Sequence, residues 1–447
     1  MSHASDARFE SWGRHPRAAP RAVLPVFWRS DVPFARGAPP FLAYGMGRSY
    51  GDSCLNGGGT LLTVRTLDRF IALDEVKGLL SCEAGVTLGE ILALVVPRGF
   101  FLPVVPGTRF VTVGGAIAND VHGKNHHRAG TFGAHVEALE LLRSDGTRRT
   151  CAPAQDGELF AATVGGLGLT GLITSATLRL RPLASAGAMT PQVRVETVPL
   201  RDLDAFFALG AESDAAHEFT VAWIDCLATG ARVGRGLLYR GDWAAGMPAS
   251  AHRRSRRGGL SVPFELPISP LNRLTLSAFN RLFHARGRLA TRPRLEAYEP
   301  FFFPLDAIAN WNRIYGRRGL LQFQCVVPHE TAPSALRELL ATVARAGEGS
   351  FLAVLKNFGK VRSPGLLSFP REGVTLALDF PNRGERTARL FRALHATVAA
   401  HRGRLYPAKD AQMSGEQFRA QFADVLPRFE AQLDPAFSSS FWRRVKA

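Results

Sequence analysis

The stretch Pro106-Gly-Thr-Arg-Phe-Val-Thr-Val-Gly-Gly-Ala-Ile-Ala-Asn-Asp-Val-His-Gly123 is the most informative part of this chain. Glycine lets the backbone adopt positive φ and approach a ligand closely. Gly114 and Gly115 open an Ala-Ile-Ala run, so their amides are predicted at a helix N-terminus, where the helix dipole favours phosphate oxygens. The stretch therefore predicts a site that holds an anionic ligand with main-chain donors.

Two further glycine-rich stretches lie within the first 171 residues, Gly45-Met-Gly-Arg-Ser-Tyr-Gly-Asp52 and Gly165-Gly-Leu-Gly-Leu-Thr-Gly171. The second contains the GxGxxG pattern of dinucleotide-binding folds, which requires a strand before it and a helix after it. Here the residues that follow, 172–183, alternate apolar and polar side chains and predict a strand instead. The context disfavours a Rossmann-type NAD site.

Composition excludes several classes of protein. The 447 residues, 46% of them hydrophobic, suit a globular chain of two or three packed units. We see no apolar leader and no run of roughly 18 apolar residues, so we expect a cytoplasmic protein. Five scattered cysteines predict neither a disulfide scaffold nor a zinc site.

The net charge of +17 raises nucleic acid, anionic membranes and phosphorylated substrates as partners. The basic residues are spread along the chain without a nucleic-acid-binding motif, so we expect no nucleic-acid partner. Only six of the 55 basic residues are lysines. Lys124, Lys356 and Lys409 stand out for that reason.

Local patterns predict helices and strands in one chain. Thr87-Leu-Gly-Glu90 is a capping box that opens a helix to residue 96. Ser144-Asp-Gly146 is a turn between two paired strands. The other predicted elements are an irregular arm over 1–40, strands over 61–64, 136–142, 147–151 and 172–183, a helix over 158–164, and a domain boundary near residue 184.

The middle of the chain contains a predicted amphipathic helix over 270–286 and, before it, an arginine-rich segment over 252–259 that we expect to be a mobile loop. Two interpretations stay open for the helix: its apolar stripe packs on the core, or it rests on a lipid surface beside the arginine cluster. The predicted stripe comprises Leu271, Leu274, Ala278, Phe279, Leu282 and Phe283, and Arg273, Asn280, Arg281 and His284 lie off it.

Several blocks together resemble the vanillyl-alcohol-oxidase superfamily, whose FAD-binding domain is of the PCMH type, and within it the decaprenylphosphoryl-β-D-ribose oxidase family. The resemblance covers nearly the whole chain. Besides the glycine stretches, its blocks are Asn56-Gly-Gly-Gly59, Asp120-Val-His-Gly-Lys-Asn-His-His127, Ala162-Thr-Val-Gly-Gly166, Trp311-Asn-Arg-Ile-Tyr-Gly316, Leu321-Gln-Phe-Gln324 and Leu405-Tyr-Pro-Ala-Lys-Asp410.

This resemblance implies an α+β, two-domain flavoprotein. Residues 1–184, completed by 404–447, would form an FAD-binding domain of two α+β subdomains. Residues 185–403 would form an inserted substrate domain with an antiparallel sheet over the flavin.

The resemblance also implies the cofactor and its ligands. The first loop carries Arg48, Ser49 and Tyr50 where many relatives attach flavin to a histidine, so we expect non-covalent FAD, with His122 as the nearest rival attachment site. The implied cofactor-binding residues are Gly47, Arg48, Ser49, Tyr50, Gly51, Pro106, Gly107, Thr108, Thr112, Gly114, Gly115, Asn119, His122, Gly123, Gly168, Ile173 and Tyr406.

The implied reaction is hydride transfer from a sugar carbon to the flavin, with Lys409, His122 and Tyr50 as catalytic candidates. His122, His126 and His127 lack the carboxylate or cysteine that would complete a metal site, so we predict none. The candidate substrate-binding residues are Gln322, Gln324, Lys356, Trp223, Phe302, Lys124 and Arg313.

The resemblance favours oxidation of the 2-hydroxyl of a polyprenyl-phosphate-linked ribose, which a separate NAD(P)-dependent reductase would complete to arabinose. A lipid phosphate fits the basic charge balance and the interfacial interpretation of the helix over 270–286, which predicts peripheral contact with a membrane. Two positions depart from the family: Ala377 stands where it has a cysteine, and Phe302 where it has a tyrosine. The alternatives are a soluble aldonolactone or alditol oxidase and a binding protein that keeps the fold without flavin.

Overall fold

The computed structural model describes residues 9–183, 191–244 and 260–447. The strands are β1 Ala22–Pro25, β2 Phe41–Tyr44, β3 Thr60–Thr63, β4 Phe70–Asp74, β5 Leu79–Glu83, β6 Phe100–Phe101, β7 Val136–Leu142, β8 Arg148–Cys151, β9 Leu172–Arg179, β10 Arg181–Pro182, β11 Gln192–Leu200, β12 Phe219–Ile224, β13 Gly236–Trp243, β14 Leu260–Ser261, β15 Arg294–Ala297, β16 Ile308–Ala309, β17 Leu320–Val327, β18 Ala353–Phe358, β19 Gly373–Pro381 and β20 Arg404–Leu405.

The α-helices are α1 Leu88–Val95, α2 Val113–Ala118, α3 His126–Ala129, α4 Gly157–Thr163, α5 Leu203–Ala216, α6 Arg273–Leu289, α7 Tyr298–Phe302, α8 Ala332–Ala346, α9 Glu385–Ala400, α10 Gly415–Phe422, α11 Leu426–Glu430 and α12 Ser440–Lys446. Together with the strands they make a mixed α and β architecture, as the sequence predicts. The described helices fall short of the length and hydropathy that a bilayer-spanning segment needs.

Three sheets organise the described chain. The N-terminal half forms a parallel sheet in the order β1-β3-β2 and an antiparallel sheet in the order β4-β5-β9-β7-β8. The largest sheet has eight strands within the described ranges, in the order β15-β11-β13-β12-β18-β19-β17-β20, and its pairings are antiparallel. Its strands, apart from β20, come from the region that the sequence assigns to the substrate domain; the domain boundaries themselves stay a prediction.

Each of the two larger sheets has its own hydrophobic core. The eight-stranded sheet packs against α8 through Leu336, Leu339 and Leu340, which are fully buried. The five-stranded sheet packs against α1 through Ile91 and Leu92. Burying one such side chain stabilises the fold by about 1.5–3 kcal/mol.

Most local predictions in the first 183 residues are confirmed. The Thr87 hydroxyl accepts from the Glu90 amide while the Glu90 carboxylate accepts from the Thr87 amide, so the capping box opens α1. The predicted strand over 136–142 is β7, and its partner is β8. A strand, β9, follows the GxGxxG pattern, which confirms that this pattern lacks its dinucleotide-binding context.

Two predictions in this region need correction. The predicted strand over 172–183 is divided, because the chain leaves β9 after Arg179 and pairs as β10 with β6 of a different sheet. The arm over 1–40 is not wholly irregular: the apolar run Ala22–Pro25 is β1, which pairs in parallel with β3.

The amphipathic helix exists as α6, but it packs through a different face from the predicted one. Leu276 and Asn280 are buried, and Asn280 donates a hydrogen bond of 2.8 Å from Nδ2 to Asp225 Oδ1. Leu274 is 82% exposed and Leu282 is 72% exposed. The interpretation that the apolar stripe packs on the core holds only in part: Leu271 and Phe283 pack on the protein, whereas Leu274 and Leu282 face outwards. The predicted mobile loop over 252–259 lies outside the described residues.

Candidate functional site

A cavity of about 370 Å³ lies where the glycine-rich stretches face the eight-stranded sheet. Gly45 to Tyr50, Val105 to Thr108 and the α2 region form one side. Strands β17, β18 and β19 contribute Gln322, Gln324, Lys356, Thr375 and Ala377 to the other side. Segments that are more than 200 residues apart in sequence thus share one site.

The loop at Arg48 suits a pyrophosphate. The amides of Gly47, Arg48, Ser49, Gly107 and Thr108 donate to no acceptor in the described part of the chain. The Arg48 guanidinium stacks over Trp12, with 4.2 Å from Cζ to the ring centroid, and its buried Nε has no partner among described residues. Unpaired buried donors are costly, so this group fits an anionic ligand.

Glycine is required at one position of this loop. Gly47 has a φ of +59°, and a Cβ there would lie 2.3 Å from the Tyr44 hydroxyl oxygen. At Gly107 a Cβ would meet nothing within 4 Å in the protein, so this backbone is open towards the cavity.

The expectation that Gly114 and Gly115 hold phosphate with their amides is wrong. Gly114 N donates to Ala84 O at 2.8 Å, and Gly115 N donates to the Thr112 hydroxyl at 3.1 Å, so the first turn of α2 is already satisfied. At Gly114 a Cβ would come within 3.2 Å of the Ala84 side chain. Both glycines line the cavity and allow a close approach there rather than donating hydrogen bonds.

The three lysines that the sequence singles out converge on this cavity. Burial, with the neighbouring Lys124 and Lys409 charges, lowers the pKa of Lys356 to about 7. Burial lowers the pKa of Lys124 to about 8. Burial also lowers the pKa of Lys409, while the nearby Asp379 carboxylate opposes that shift. The site combines positive charge with amines that release protons easily.

His122 is held at both ring nitrogens. Lys356 Nζ lies 2.9 Å from His122 Nδ1 and donates to Gly123 O at 2.7 Å. Gln324 Nε2 lies 3.1 Å from His122 Nε2. Burial, together with the Lys356 charge, holds the pKa of His122 well below its usual range, so the ring is neutral.

Two buried polar side chains, Gln322 and Asp379, lie near Lys409. The Lys409 ammonium is 4.3 Å from the centroid of the Tyr50 ring and donates to no acceptor among the described residues. Gln322 Nε2 donates to Asp379 Oδ1, while Asp379 Oδ2 and Gln322 Oε1 are buried without a partner in the described chain. Burial raises the pKa of Asp379 and also that of the Tyr50 phenol. The low polarity thus favours neutral forms of Lys409, Asp379 and Tyr50 alike.

Comparison with known proteins agrees with this geometry. A family model described as an FAD binding domain matches residues 34–152. Decaprenylphosphoryl-beta-D-ribose oxidase of Mycolicibacterium smegmatis is 35% identical, and the alignment covers 98% of this chain and 97% of that protein. The chain belongs to the decaprenylphosphoryl-β-D-ribose oxidase family.

Two other relatives match smaller parts of this chain. An uncharacterized Streptomyces coelicolor protein in the mprA 5' region is 36% identical over 80% of this chain and all of its own length. Human Delta(24)-sterol reductase is 30% identical over 31% of this chain. As a member of the decaprenylphosphoryl-β-D-ribose oxidase family with an FAD-binding domain, the protein is an FAD-dependent oxidoreductase. The alternative of a binding protein without flavin is therefore wrong.

The cavity brings together most of the site residues that the family resemblance implies. Their individual roles stay predictions. Those lining it are Gly47, Arg48, Ser49, Tyr50, Pro106, Gly107, Thr108, Thr112, Gly114, Gly115, Asn119, His122, Gly123, Lys124, Gly168, Ile173, Phe302, Gln322, Gln324, Lys356, Tyr406 and Lys409. The two departures from the family, Ala377 and Phe302, both line the cavity.

Three of the predicted residues do not line it. Arg313 donates to the carbonyls of Val262 and Pro263, which draws its guanidinium away. Trp223 donates from Nε1 to Phe351 O and packs on Phe283. Gly51 approaches Asp410, and a Cβ there would lie 2.6 Å from the Asp410 carbonyl oxygen. All three residues make these contacts outside the cavity lining.

Sequence reasoning missed other residues of the site. Trp12 lies in a segment that was predicted to be irregular, yet its ring covers Arg48. Asp306 lines the cavity and accepts the Arg109 amide at 2.9 Å across 197 residues of sequence. Asp379 faces Gln322 in the pairing of β17 with β19. The only sequence signal for Asp379 is a charged residue within an otherwise apolar strand, Leu376 to Phe380.

Proposed function

We propose that this protein oxidises the 2-hydroxyl of a polyprenyl-phosphate-linked ribose to the 2-keto sugar, the first half of an epimerisation to arabinose. The observation that carries the proposal is the convergence of Lys124, Lys356 and Lys409 on one cavity. A substrate with a phosphate diester is an anion, and lysines are effective point-charge ligands for phosphate. The name of the Mycolicibacterium relative supports the choice of sugar and lipid.

FAD would lie non-covalently along the glycine loops, its pyrophosphate on the open amides of Gly47 to Ser49 and of Gly107 and Thr108, beside Arg48. Two observations support a non-covalent cofactor. The first loop has no histidine, and both ring nitrogens of His122 already have partners.

Bound FAD supplies the acceptor for the hydride that leaves the sugar carbon. The hydroxyl proton needs a base, and we assign that role to the neutral amine of Lys409, which lines the cavity and has a lowered pKa. Tyr50 supports the Lys409 side chain through its ring. His122 orients Lys356 and Gln324 towards the substrate.

The remaining residues would bind the phosphate, the sugar hydroxyls and the lipid chain of the substrate. Lys124 and Lys356 would bind the phosphate, and the amides of Gln322 and Gln324 would bind sugar hydroxyls. The lipid chain would follow apolar walls that include Phe302, Val221, Leu305 and Leu352. The 2-keto product would be completed by a separate NAD(P)-dependent reductase.

Absorbance spectroscopy and anaerobic titration test the proposal. The purified protein is expected to be yellow, and the colour is expected in the supernatant after acid precipitation. Prenyl-phosphoryl ribose should bleach the flavin, whereas free alditols and aldonolactones should not. Bleaching by an alditol or a lactone alone would replace the proposal with a soluble sugar oxidase.

The variant Gly107→Ala tests the cofactor cradle separately. Its new methyl group would project into the cavity without touching protein, so FAD affinity should fall at unchanged thermal stability of the apoprotein. Gly157→Ala is the matched control, because a Cβ at Gly157 also meets nothing within 4 Å but lies outside the cavity. Equal FAD affinity in both variants would contradict the assigned path of the cofactor.

A further inference from the structure

The region from Leu260 to Leu295 exposes an unusual amount of apolar surface. Of 15 large hydrophobic side chains exposed in the described residues, eight lie within these 36 positions. Large contiguous exposed apolar surface marks an interaction site in a folded protein. The eight are Leu260, Phe264, Ile268, Leu274, Phe279, Leu282, Leu289 and Leu295.

On α6 the exposed leucines form one stripe. At about 100° per residue, Leu274, Leu282 and Leu289 fall within about 80° of one another around the helix, together with Ala278 and Ala285. The buried Leu276 and Asn280 lie on the opposite side. The helix is thus apolar on the side that faces away from the protein.

Basic residues flank this stripe. Arg281 and Arg288 lie along one edge of it, and Arg286 lies along the other. Residues 260–295 contain six arginines and one acidic residue, Glu265, which pairs with Arg14 at 2.6 Å. The surface therefore complements a partner that is apolar in its interior and anionic at its face.

The exposed position of the stripe is enforced by contacts beneath it. Asn280 Nδ2 donates to the buried Asp225 carboxylate, and Gly287 leaves room for Leu237, because a Cβ there would lie 2.1 Å from Leu237 Cδ1. The preceding segment is fixed by β14, which pairs with β16, and by the bonds from Arg313 to Val262 and Pro263. Rotating α6 to bury its leucines would break the bond to Asp225.

This surface adjoins the wall of the cavity. Leu271, one residue before the N-cap of α6, packs in the cluster that contains Trp311 and Leu305, and both of these residues line the cavity. Strand β16, which pairs with β14, follows directly after the cavity residue Asp306 and the neighbouring Ala307. The surface and the cavity therefore share supporting elements.

We propose that the surface formed by 260–268 and the leucine stripe of α6 docks on an anionic lipid bilayer, with α6 lying in the plane of the headgroups. Flanking arginines attract anionic headgroups, and the leucines enter the acyl boundary. A protein partner would need an apolar groove with acidic rims. An anionic membrane already combines an apolar interior with an anionic face. The inference rests on the surface itself and does not depend on the sugar that is oxidised.

Flotation of the holoenzyme with vesicles tests the docking. We expect binding to an equal mixture of phosphatidylcholine and phosphatidylglycerol, and weaker binding to phosphatidylcholine alone. Combined Leu274→Ser, Leu282→Ser and Leu289→Ser should lower the vesicle affinity by at least about tenfold, because three inserted leucines are lost. Combined Arg281→Gln, Arg286→Gln and Arg288→Gln should remove the preference for anionic vesicles.

The matched control is Val76→Ser, which changes the apolar side chain that is 98% exposed in the turn between β4 and β5. It should bind vesicles as the unaltered protein does, and all the variants should keep their flavin. Wild-type binding in the leucine variant would overturn the proposal. Concentration-dependent dimerisation that the leucine changes abolish, without vesicle binding, would also overturn it and assign the surface to a second copy. Bleaching by a short-chain, water-soluble substrate reports on the chemistry alone, so the two proposals can fail separately.

Discussion

The cavity and the docking surface are both basic, but they use different residues. Besides Arg48, the cavity contains Lys124, Lys356 and Lys409, half of the six lysines in the chain, whereas the basic residues of the docking surface are all arginines. Burial lowers the pKa of all three lysines, so these amines exchange protons near neutral pH. Arginine stays charged in any protein environment. Proton transfer requires an amine that can lose its proton near neutral pH. Steady attraction to headgroups requires only a permanent positive charge.

The largest effect should come from replacing the proposed base. Lys409→Met removes proton transfer and should slow anaerobic flavin reduction by about 10²–10⁴-fold. Lys409→Arg restores the charge but cannot release its proton, so it should rescue less than a tenth of the lost rate. Stopped-flow absorbance of the flavin measures both variants, with bound FAD as the control. Full rescue by arginine would show that Lys409 acts only as a cation. The cavity lysines would then have the same role as the surface arginines, which is to carry charge.

The next effect concerns the pH dependence of the same step. Flavin reduction should accelerate as pH rises through the lowered pKa of Lys409, because the neutral amine accumulates. Asp379 holds that pKa up, so Asp379→Asn should move the rising limb to lower pH. Asp225→Asn, at a buried carboxylate outside the cavity, is the control. If the rising limb of the pH profile does not shift in Asp379→Asn, the Asp379 charge does not influence proton transfer at Lys409.

A smaller effect should appear in stability. The pKa of Lys356 is about 7 in the folded protein and 10.5 in its ordinary state, so the unfolded chain binds more protons between these values. Burial of Lys356 therefore costs most stability at and below pH 7, and this cost falls as pH rises towards 10.5. The melting temperature of Lys356→Met minus that of the wild type should accordingly be largest at and below pH 7. This difference should fall as pH rises. A difference that does not change with pH would mean that folding leaves the pKa of Lys356 at its ordinary value.

The smallest effect should come from the docking surface. Combined Arg281→Lys, Arg286→Lys and Arg288→Lys keeps the charge, so vesicle affinity should change by no more than about twofold. Flotation with the anionic vesicles measures this. A large loss would mean that the arginines recognise a specific headgroup geometry, and the docking surface would then resemble a binding site more than an electrostatic contact.

Sequence patterns predicted the features that depend on neighbouring residues. The capping box spans Thr87 to Glu90, and the strand after the GxGxxG pattern begins at the next residue, so local spacing was sufficient for both. The rarity of lysine also selected three residues of one cavity. The role of the α2 amides was predicted wrongly, because the Gly114 amide already donates to Ala84 on a different segment and the Gly115 amide donates to the Thr112 hydroxyl.

The sequence by itself determined the FAD-type glycine loops, the mixed α and β elements and the amphipathic character of the helix over 270–286. Only the tertiary structure decided which face of that helix is buried, since Asn280 meets its partner Asp225 across 55 residues. It also decided that Asp306 lines the cavity, that Asp379 is buried against the cavity residue Gln322, and that Arg313 and Trp223 do not line the cavity. Periodicity describes one element at a time, whereas burial and hydrogen bonding depend on how distant elements pack.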